Sequence, residues 1–561
     1  MASPKFPEPP ASLPPTPTSE IDTVLNLLSQ GKDQWLKVST SNRIVLLKEC
    51  LKDLMCLSDE WIGQSCKAKG ITRGTADEGE EWVGSFMVVV RGIQTLIDAL
   101  EANGQPKIPS VRKRNDGQIV AQVYPKNIRE KLMLSGVTGE VWIQKGKEAS
   151  QGAIYRNPTE KGKVSLVLGA GNQGSIGPLD MLYKLFVENE VVLLKMNPVN
   201  EYLGPYIVRS FRCLIEGNYL SVIYGGAEVG QYACNHELVD SIHITGSCAT
   251  HDAIVWGSEE NKSSNTPQNT KPISSELGCV TPIIVVPGDW SDSQLDYQAR
   301  QIVSMVTQNA SFNCNAGKVL VLPKEWKLTG ALKDKIKHHF NRKEGRKAYY
   351  PGAQKRYDVF LEKYPNAQVI GERSEDVVPW TILPDVPAQK GEYALTVEAF
   401  CAVLAITHLE YDGSAKDFLT KSVQFCNESI WGTLSANLLI DPNTQKSLGS
   451  DFDDAIANLQ YGGIGVNCWS GLVYGLSSPT WGAFPGHTVD DIVSGKGVVH
   501  NAFLLDHPEK SVVYAPFTIW PTPPWFFDHG NLVNMGKALV NFEATQSNFS
   551  LPRVILNALK G

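Results

Sequence analysis

Apolar residues recur at helical spacing in the first hundred residues of the chain. Intervals of three and four between the apolar positions of residues 21–28 predict a helix there. The same spacing predicts a second helix from near Ser41 and a third, largely buried helix over residues 80–101. Residues 1–18 are instead rich in proline and serine. Because consecutive prolines cannot build a packed element, we expect a disordered lead there.

Short apolar runs alternate with helical patterns from residue 164 onward. Residues 164–168 and 191–195 are predicted to be buried strands, with a helix over residues 178–188 between them. Alternating strands and helices continue to about Gly495. This alternation predicts an α/β fold.

The turn after the first of these strands has the sequence Gly-Ala-Gly-Asn-Gln-Gly over residues 169–174, which is a G-x-G-x-x-G pattern between a strand and a helix. A dinucleotide fingerprint of this kind requires an acidic residue at the end of the second strand, where it binds a ribose hydroxyl. The chain has Lys195 at that position, and Asn172 places an amide donor in the middle of the turn. We therefore do not interpret the turn as that fingerprint.

Two further regions have β-type patterns without clear partners in their own domain. Residues 118–124 and 140–144 predict a ribbon, and residues 512–514 predict a short strand. Because unpaired strand edges invite pairing, we expect these segments to cross between the subunits of a homodimer or homotetramer. The tail from Phe517 is aromatic and interrupted by prolines, so we expect it to pack over a neighbouring subunit or a substrate mouth rather than in a membrane.

Composition narrows the functional class. A chain of 561 residues is too long for one ordinary core, so two or three domains are expected. Its net charge of -7 does not indicate binding to nucleic acid or to an anionic membrane. No run approaches the roughly 18 consecutive apolar residues that a membrane helix needs. The 11 cysteines have no C-x-x-C spacing and an odd total, so neither a metal site nor a disulfide framework is indicated. Free thiols and the lack of a signal-peptide pattern predict a cytoplasmic protein.

The main candidate for chemistry is a cysteine on a polar loop. Cys314 lies between the apolar runs 302–306 and 319–322, among small and amide residues that can present sulfur to a pocket. A thiolate there would be a strong nucleophile. A packed loop cysteine explains this stretch better when it is considered alone. Glu276, just before a buried strand, is either a satisfied capping group or a general base in a cleft.

Taken together, these motifs resemble those of the NAD(P)-dependent aldehyde dehydrogenase superfamily, over about residues 20–515. Cys314, five residues after Asn309, matches the nucleophile motif, and Glu276 matches the general-base motif. Asn172 matches the asparagine whose amide forms an oxyanion hole with the backbone N–H of the cysteine. The resemblance therefore implies these three as the catalytic residues.

The resemblance also implies a nicotinamide cofactor. In the family, a lysine at a strand end contacts a ribose of the cofactor. A Gly-Ser pair holds the phosphates, and a Glu-x-Phe segment positions the nicotinamide ribose. The matching cofactor-binding positions of this chain are Lys195, Gly246, Ser247, Leu277, Glu398 and Phe400.

The choice between NAD and NADP depends on the position three residues beyond Lys195. Family members that prefer NAD commonly have a glutamate there, which binds a ribose hydroxyl and repels a 2′-phosphate. This chain has Pro198, which has no charge and no side-chain acceptor. We therefore expect NADP or NAD to bind, with NADP slightly favoured, unless a loop shift brings Glu201 to the same place.

Several residues depart from the family pattern. Ser311-Phe312 replaces Gly-Gln before the nucleophile, and Cys279 replaces a glycine of the general-base motif. His251 stands where a glycine often begins the phosphate-binding helix, and Cys401-Ala402 replaces Gly-Pro after the Glu-x-Phe segment. The chain is thus a divergent member, and its aldehyde cannot be inferred from relatives.

The fold implied by the resemblance is α/β, with a Rossmann-like cofactor domain, an α/β catalytic domain and a β-ribbon for oligomerisation. The expected boundaries are 1–18 for the disordered lead, 19–117 and 153–275 for the cofactor domain, 118–152 and 496–516 for the oligomerisation element, 276–495 for the catalytic domain, and 517–561 for a C-terminal extension.

The implied activity is oxidation of an aldehyde to a carboxylic acid through a thiohemiacetal and a thioester on Cys314. One alternative is a relative that transfers the acyl group to coenzyme A. Retention of both Cys314 and Glu276 favours hydrolysis, because acyl-transferring relatives do not depend on that base. A second alternative is a catalytically idle scaffold on the same fold, which a screen of cofactor binding and aldehyde turnover would distinguish.

Overall fold

Two large β-sheets organise the protein. The structure, a computed structural model, describes residues 6–9 and 12–561. Its strands are β1 (Ser110–Lys113), β2 (Ile119–Tyr124), β3 (Thr138–Ile143), β4 (Val164–Leu168), β5 (Val191–Lys195), β6 (Leu220–Ile223), β7 (Ser241–Gly246), β8 (Ile273–Leu277), β9 (Thr281–Val285), β10 (Gly317–Pro323), β11 (Gln368–Ile370), β12 (Trp380–Leu383), β13 (Val403–Leu409), β14 (Ser435–Leu439), β15 (Gly463–Val466), β16 (Trp481–Gly482), β17 (Gly495–Lys496), β18 (Val498–Val499) and β19 (Pro508–Tyr514).

Helices connect and cover these strands. They are α1 (Thr18–Trp35), α2 (Thr40–Cys56), α3 (Ser58–Lys69), α4 (Ala76–Glu80), α5 (Met87–Glu101), α6 (Ile128–Met133), α7 (Ala153–Arg156), α8 (Ile176–Phe186), α9 (Gly204–Ser210), α10 (Arg212–Glu216), α11 (Ala227–Asn235), α12 (Cys248–Val255), α13 (Glu259–Ser263), α14 (Asp292–Thr307), α15 (Thr329–Arg342), α16 (Ala353–Lys363), α17 (Tyr393–Thr396), α18 (Ala415–Ser429), α19 (Pro442–Leu448), α20 (Ser450–Asn458), α21 (Gly471–Gly475), α22 (Leu532–Thr545) and α23 (Leu551–Ala558). A π-helical turn (Glu81–Phe86) joins α4 to α5, and short 3-10 turns occupy Glu201–Leu203 and Gln308–Ser311.

The three helices predicted near the start of the chain are present. The apolar face of α1 is buried, and α2 begins after Ser39, whose side chain accepts a hydrogen bond from the backbone N–H of Asn42. The third prediction corresponds to α4, the π-helical turn and α5, which run continuously over Ala76–Glu101. Periodicity identified these helices because each buries one apolar face against the smaller sheet and its helices.

The smaller sheet has six strands in the order β17-β8-β7-β4-β5-β6. Strands β8, β7, β4, β5 and β6 are parallel, and β17 is antiparallel to β8. The carboxyl ends of parallel strands meet at one edge of a sheet, which is where such sheets bind ligands. Residues 169–174, Lys195, Gly246 and Leu277 therefore lie along the same edge.

The larger sheet has eleven strands in the order β1-β2-β3-β19-β15-β14-β9-β10-β13-β12-β11. Its central strands, from β19 to β12, are parallel, and their residues form the largest apolar core. The loop that bears Cys314 precedes β10, in the middle of this sheet. Burial on both faces explains why β9, β10 and β14 are almost wholly apolar runs in the sequence.

The expectation that the ribbon and the terminal strand lack partners in their own chain is wrong for this structure. Strand β19 pairs with β3 on one side and with β15 on the other, and β2 pairs with both β1 and β3. The ribbon thus extends the larger sheet of its own chain. Among the described strands of the ribbon, only β1 keeps a free edge, and its four residues are exposed. The pattern of alternating residues identified these strands, but it contains no information on which strand would pair with them.

The C-terminal extension packs onto the body of the protein. Helix α22 contacts α4, the π-helical turn and α5, and Phe517, Trp525, Phe526 and Phe527 are buried in the core of the larger sheet. The stretch Ala76–Glu101 is long and apolar enough to cross a membrane by length and composition, but 72% of its most apolar window is buried inside the protein, as in a core helix.

The N-terminal lead makes defined contacts, in contrast to the disorder expected for residues 1–18. The backbone N–H of Thr16 donates to the carbonyl of Tyr224 at the end of the smaller sheet, and the side chain of Thr16 accepts from the N–H of Tyr224 at 2.9 Å. Helix α1 begins at Thr18. Residues 1–5, 10 and 11 lie outside the described residues.

Candidate active site

A strained turn leads into the loop that bears Cys314. After α14 ends at Thr307, three consecutive non-glycine residues have left-handed backbone: Asn309, Ala310 and Ser311, with φ of 52°, 54° and 69°. Such a conformation costs on the order of 1–2 kcal/mol per residue, and it persists where surrounding contacts fix it. The backbone N–H groups and carbonyls of this turn are therefore held in one arrangement.

Two buried lysines fix the turn. Lys69 donates to Oδ1 of Asn309 at 3.0 Å and to the carbonyl of Asn172 at 3.3 Å. Lys318 donates to the carbonyl and hydroxyl oxygens of Ser311 at 2.9 and 3.0 Å. The sequence does not identify these lysines as functional, although a lysine in the otherwise apolar strand β10 is a visible irregularity.

Cys314 and Glu276 are in direct contact. The half-buried thiol of Cys314 donates a hydrogen bond to Oε1 of Glu276 at 3.3 Å. Burial raises the pKa of Glu276 to about 8, and the nearby carboxylate of Asp180 adds to this effect. Burial, together with the carboxylate of Glu276, also raises the pKa of the Cys314 thiol. Both groups therefore hold protons more tightly than they would in water, and a proton can pass between them.

Asn172 faces the same loop. Its side-chain amide donates to the carbonyl of Phe312 at 2.9 Å, and the residue borders the same cavity as Cys314 and Glu276. The backbone N–H of Cys314 makes no hydrogen bond within the described chain. The structure thus brings together all three residues that were predicted to be catalytic, with an amide and a free N–H near the sulfur.

The cavity has a volume of about 170 Å³. Cys314, Glu276 and Asn172 are among the polar residues that line it. Most of its remaining wall is apolar and includes residues of α5, α21 and the C-terminal extension. Depth, apolar walls and a few convergent polar groups are typical of small-molecule sites.

Lys195 ends strand β5 at the ligand-binding edge of the smaller sheet. Its ammonium is buried, and burial lowers its pKa to about 8 even though Glu8 and Glu201 raise it. Pro198 lies in the half-buried turn beyond it. Glu201 is fully buried and accepts hydrogen bonds from the backbone N–H groups of residues 12 and 13 at 2.5 and 3.0 Å.

Gly246 and Ser247 lie at the same edge. Gly246 ends strand β7 and is exposed, and the hydroxyl of Ser247 caps α12 by accepting from the N–H of Thr250 at 3.2 Å. Leu277, at the end of β8, is buried and donates its N–H to the carbonyl of Ser494 at 2.8 Å.

Glu398 and Phe400 belong to the Glu-x-Phe segment that was predicted to bind the nicotinamide ribose. Oε1 of Glu398 is buried without a hydrogen-bond partner within the described residues. Burial raises the pKa of Glu398 to about 7, and Lys318 opposes this rise. Phe400 has a left-handed φ of 41°, and its ring lies 5.8 Å from that of Phe312.

These positions fit a nicotinamide dinucleotide. Lys195 places a buried ammonium in this region, and Oε1 of Glu398 is buried without a hydrogen-bond partner among the described residues, a partner that a ribose hydroxyl would supply. Exposed Gly246 and the start of α12 lie along the same sheet edge.

The N-terminal segment lies against these same positions. The ring of Phe6 is 5.1 Å from that of Phe400, and the carboxylate of Glu8 accepts from the backbone N–H of Ala227 at the start of α11. Phe6, Glu8 and residues 12 and 13 thus contact both ends of the predicted cofactor site, the last two through Glu201. The sequence did not predict this, because a proline-rich segment shows no periodicity from which contacts can be inferred.

No group of three or more histidine, cysteine, aspartate or glutamate side chains able to hold a metal ion occurs among the residues that the structure describes.

The family model described as "Aldehyde dehydrogenase family" matches residues 181–343, a stretch that contains Lys195, Glu276 and Cys314. No curated protein matches the sequence.

Solved structures share the fold at low sequence identity. An aldehyde dehydrogenase of Mycobacterium tuberculosis complexed with NAD+ has a TM-score of 0.61 at 14% identity, over 91% of this chain and 92% of that one. NADP-dependent glyceraldehyde-3-phosphate dehydrogenase from Bacillus halodurans, complexed with NADP, has 0.59 at 15%, over 91% and 97%. Aldehyde dehydrogenase 21 from Physcomitrella patens, in complex with the reaction product succinate, has 0.60 at 15%, over 89% and 91%. The predicted α/β fold is confirmed.

Proposed function

We propose that this chain, which fits the aldehyde dehydrogenase superfamily by its fold and its matched segment, oxidises an aldehyde to a carboxylic acid with NAD(P) through a covalent intermediate on Cys314. The contact between the Cys314 thiol and Glu276, in a cavity that Asn172 also borders, is the main support. It brings a nucleophile, a base and hydrogen-bond donors to one place.

The first step is addition of sulfur to the carbonyl carbon. The Cys314 thiol loses its proton to water, and the C–S bond forms as the carbonyl oxygen gains negative charge. The backbone N–H of Cys314 and the amide of Asn172 would donate to that oxygen. The rigid left-handed turn keeps the loop in place, so little reorganisation is needed.

Oxidation of the thiohemiacetal leaves a thioester. A bound nicotinamide cofactor supplies the hydride acceptor. Lys195, Gly246, Ser247, Leu277, Glu398 and Phe400 would hold it, with Lys195 and Glu398 at the two riboses. The carbon would lose its hydrogen as hydride while the electron pair of the oxyanion re-forms the C=O bond, so the carbon becomes an acyl carbon.

Hydrolysis completes the turnover. Glu276, in its ionised form, takes a proton from water, and the resulting hydroxide attacks the thioester carbon. The C–S bond breaks, the sulfur is reprotonated, and the acid leaves. A base within 3.3 Å of the sulfur is well placed for this step, which favours hydrolysis over transfer to coenzyme A.

A turnover assay tests this proposal. Purified protein is incubated with an aldehyde panel and NADP or NAD, with and without coenzyme A, and both reduced cofactor and free acid are measured. We expect free acid without coenzyme A, and none from Cys314→Ala. Acid formation that requires coenzyme A would indicate the acyl-transferring alternative. Absence of cofactor binding and of turnover would indicate the scaffold alternative.

The domain boundaries, the cytoplasmic location and the homodimeric or homotetrameric state stay predictions. Because β3 and β19 are already paired on both edges, an oligomer of this structure would have to use other surfaces.

A further inference from the structure

The C-terminal extension forms part of the wall of the cavity that contains Cys314. Trp525, Met535 and Leu539 all border it, and all belong to residues 517–561, which lie outside the family pattern. The wall also includes Met87 of α5 and Leu472 of α21. Away from the sulfur, the extension thus decides the shape of the site.

The extension is held firmly in this position. An added Cβ at Gly79 would lie 2.5 Å from the side chain of Leu532, and one at Gly536 would lie 2.5 Å from that of Trp82, so α22 and the helix beneath it approach too closely for larger side chains. The amide of Gln308 donates to the carbonyl of Trp525 at 3.2 Å. These contacts link the extension to the nucleophile loop itself.

The charges around the cavity exclude an anionic substrate. Arg91 is the one cationic residue among the described residues of the wall. Its guanidinium donates to Glu130 at 2.6 Å, to Glu543 at 2.7 Å and to the carbonyl of Leu476 at 2.7 Å. With two carboxylates on one cation, this part of the wall has no positive charge left for a substrate carboxylate or phosphate.

The volume limits the substrate to roughly one ring. An apolar cavity of about 150 Å³ holds benzene, so the 170 Å³ found here accommodates one substituted ring or an aliphatic chain of similar volume. The side chains of Trp469 and Trp525 also border this cavity.

We propose that the C-terminal extension restricts this site to uncharged, apolar aldehydes of about one aromatic ring, and that Met535 and Leu539 set the size limit. This inference rests on the proposed function, since it assumes that the aldehyde reacts at Cys314. The extension contributes the apolar side chains of Met535 and Leu539 to the wall, and Glu543 places a carboxylate beside Arg91.

A binding experiment tests the inference without requiring turnover. The probes are 4-methylbenzyl alcohol and 4-(hydroxymethyl)benzoate, which differ at the far end from the hydroxymethyl group. Quenching of tryptophan fluorescence reports binding, because Trp469 and Trp525 border the cavity. We expect the neutral probe to bind at least about 100-fold more tightly, because the carboxylate would be buried without a partner.

Two variants of α22 test whether the neutral probe binds in this cavity. Leu539→Trp should fill the cavity and abolish binding, whereas Asn534→Trp, exposed on the same helix, should leave it unchanged. If Leu539→Trp fails to fold, Met535→Ala serves instead. It should enlarge the cavity and improve binding of 4-butylbenzyl alcohol relative to 4-methylbenzyl alcohol by about tenfold.

The outcomes separate this inference from the proposed function. Neutral-probe binding that Leu539→Trp abolishes supports the inference even if no aldehyde is oxidised, in which case the proposed function alone fails. Tighter binding of the carboxylate probe, no binding of either probe, or equal effects of the Leu539 and Asn534 variants would overturn the inference, whatever the turnover.

Discussion

The thiol of Cys314 donates a hydrogen bond to Oε1 of Glu276 across 3.3 Å. These residues are 38 positions apart in the sequence. Cys314 lies on the loop before β10 of the larger sheet, and Glu276 lies near the end of β8 of the smaller sheet. The contact therefore joins the two sheets at the reacting sulfur. Burial raises the pKa of both groups, so the pH dependence of the reaction reports on the pair.

The rate of acid formation should rise as pH rises through about 8. Glu276 acts as a base only when it is deprotonated, and burial raises its pKa to about 8. At lower pH the carboxyl is protonated and hydrolysis slows. A profile of kcat against pH from about 6 to about 10, which covers about two units on each side of this pKa, measures this limb, and Glu276→Gln should lose it. A limb near pH 4.5 to 5, close to the ordinary range of a carboxyl, would contradict the role of burial.

Removal of residues 1–13 should tighten cofactor binding. Phe6 lies against Phe400, and Glu8 and Ser12 lie near Lys195 and Glu201, so a dinucleotide has to displace them. Fluorescence titration with NADPH should give a Kd that is lower by about tenfold, which corresponds to roughly 1.4 kcal/mol.

Removal of residues 1–5 is the matched control, since it retains Phe6, Glu8 and Ser12. It should leave the Kd of the full chain unchanged. A Kd for the 1–13 deletion equal to that of the full chain would show that the segment does not compete with the cofactor.

NADP should be used at least as well as NAD. Pro198 offers no carboxylate to repel a 2′-phosphate. Pro198→Glu should shift the ratio of kcat/KM toward NAD by more than about tenfold. A wild-type preference for NAD of that size would indicate that Glu201, or another acid, takes the place of the missing glutamate.

Lys69→Met should destabilise the protein strongly. Lys69 pairs with Glu81 at 2.7 Å, and both side chains are buried, so its loss leaves a buried carboxylate unpaired as well as freeing Asn309. A cost of about 3–5 kcal/mol is expected. Lys67→Met, on the exposed face of the same helix, should change stability by less than about 0.5 kcal/mol. Equal urea midpoints for the two variants would contradict the supporting role of Lys69.

The sequence predicted the fold class because its buried strands and amphipathic helices have clear periods, and motif matches then brought Cys314, Glu276 and Asn172 to one candidate site. The sequence could not predict contacts between residues that are far apart in the sequence and whose neighbours show no unusual pattern. Lys69 reaches Asn309 across 240 positions, and no local property marks that pairing.

Two errors have the same origin. The alternation in β19 indicated a strand, but the choice between a partner in its own chain and one in a second chain depends on where β3 and β15 lie. The proline-rich lead lacked periodicity, yet Phe6 and Glu8 find partners on a surface that other elements build. The tail was expected to pack over a neighbouring subunit or a substrate mouth, and Trp525 of the tail borders the cavity that contains Cys314.

Mass spectrometry of the acyl-enzyme tests the central claim most directly. Glu276→Gln is mixed with 4-methylbenzaldehyde and NADP, quenched in acid and digested, and the peptide that contains Cys314 is weighed. The base is then missing while the nucleophile remains, so the account predicts that the thioester accumulates and that this peptide gains the mass of one 4-methylbenzoyl group. Cys314→Ala treated in the same way should gain nothing. Formation of reduced cofactor with no acyl mass on Cys314, or an equal adduct in the alanine variant, would contradict the account.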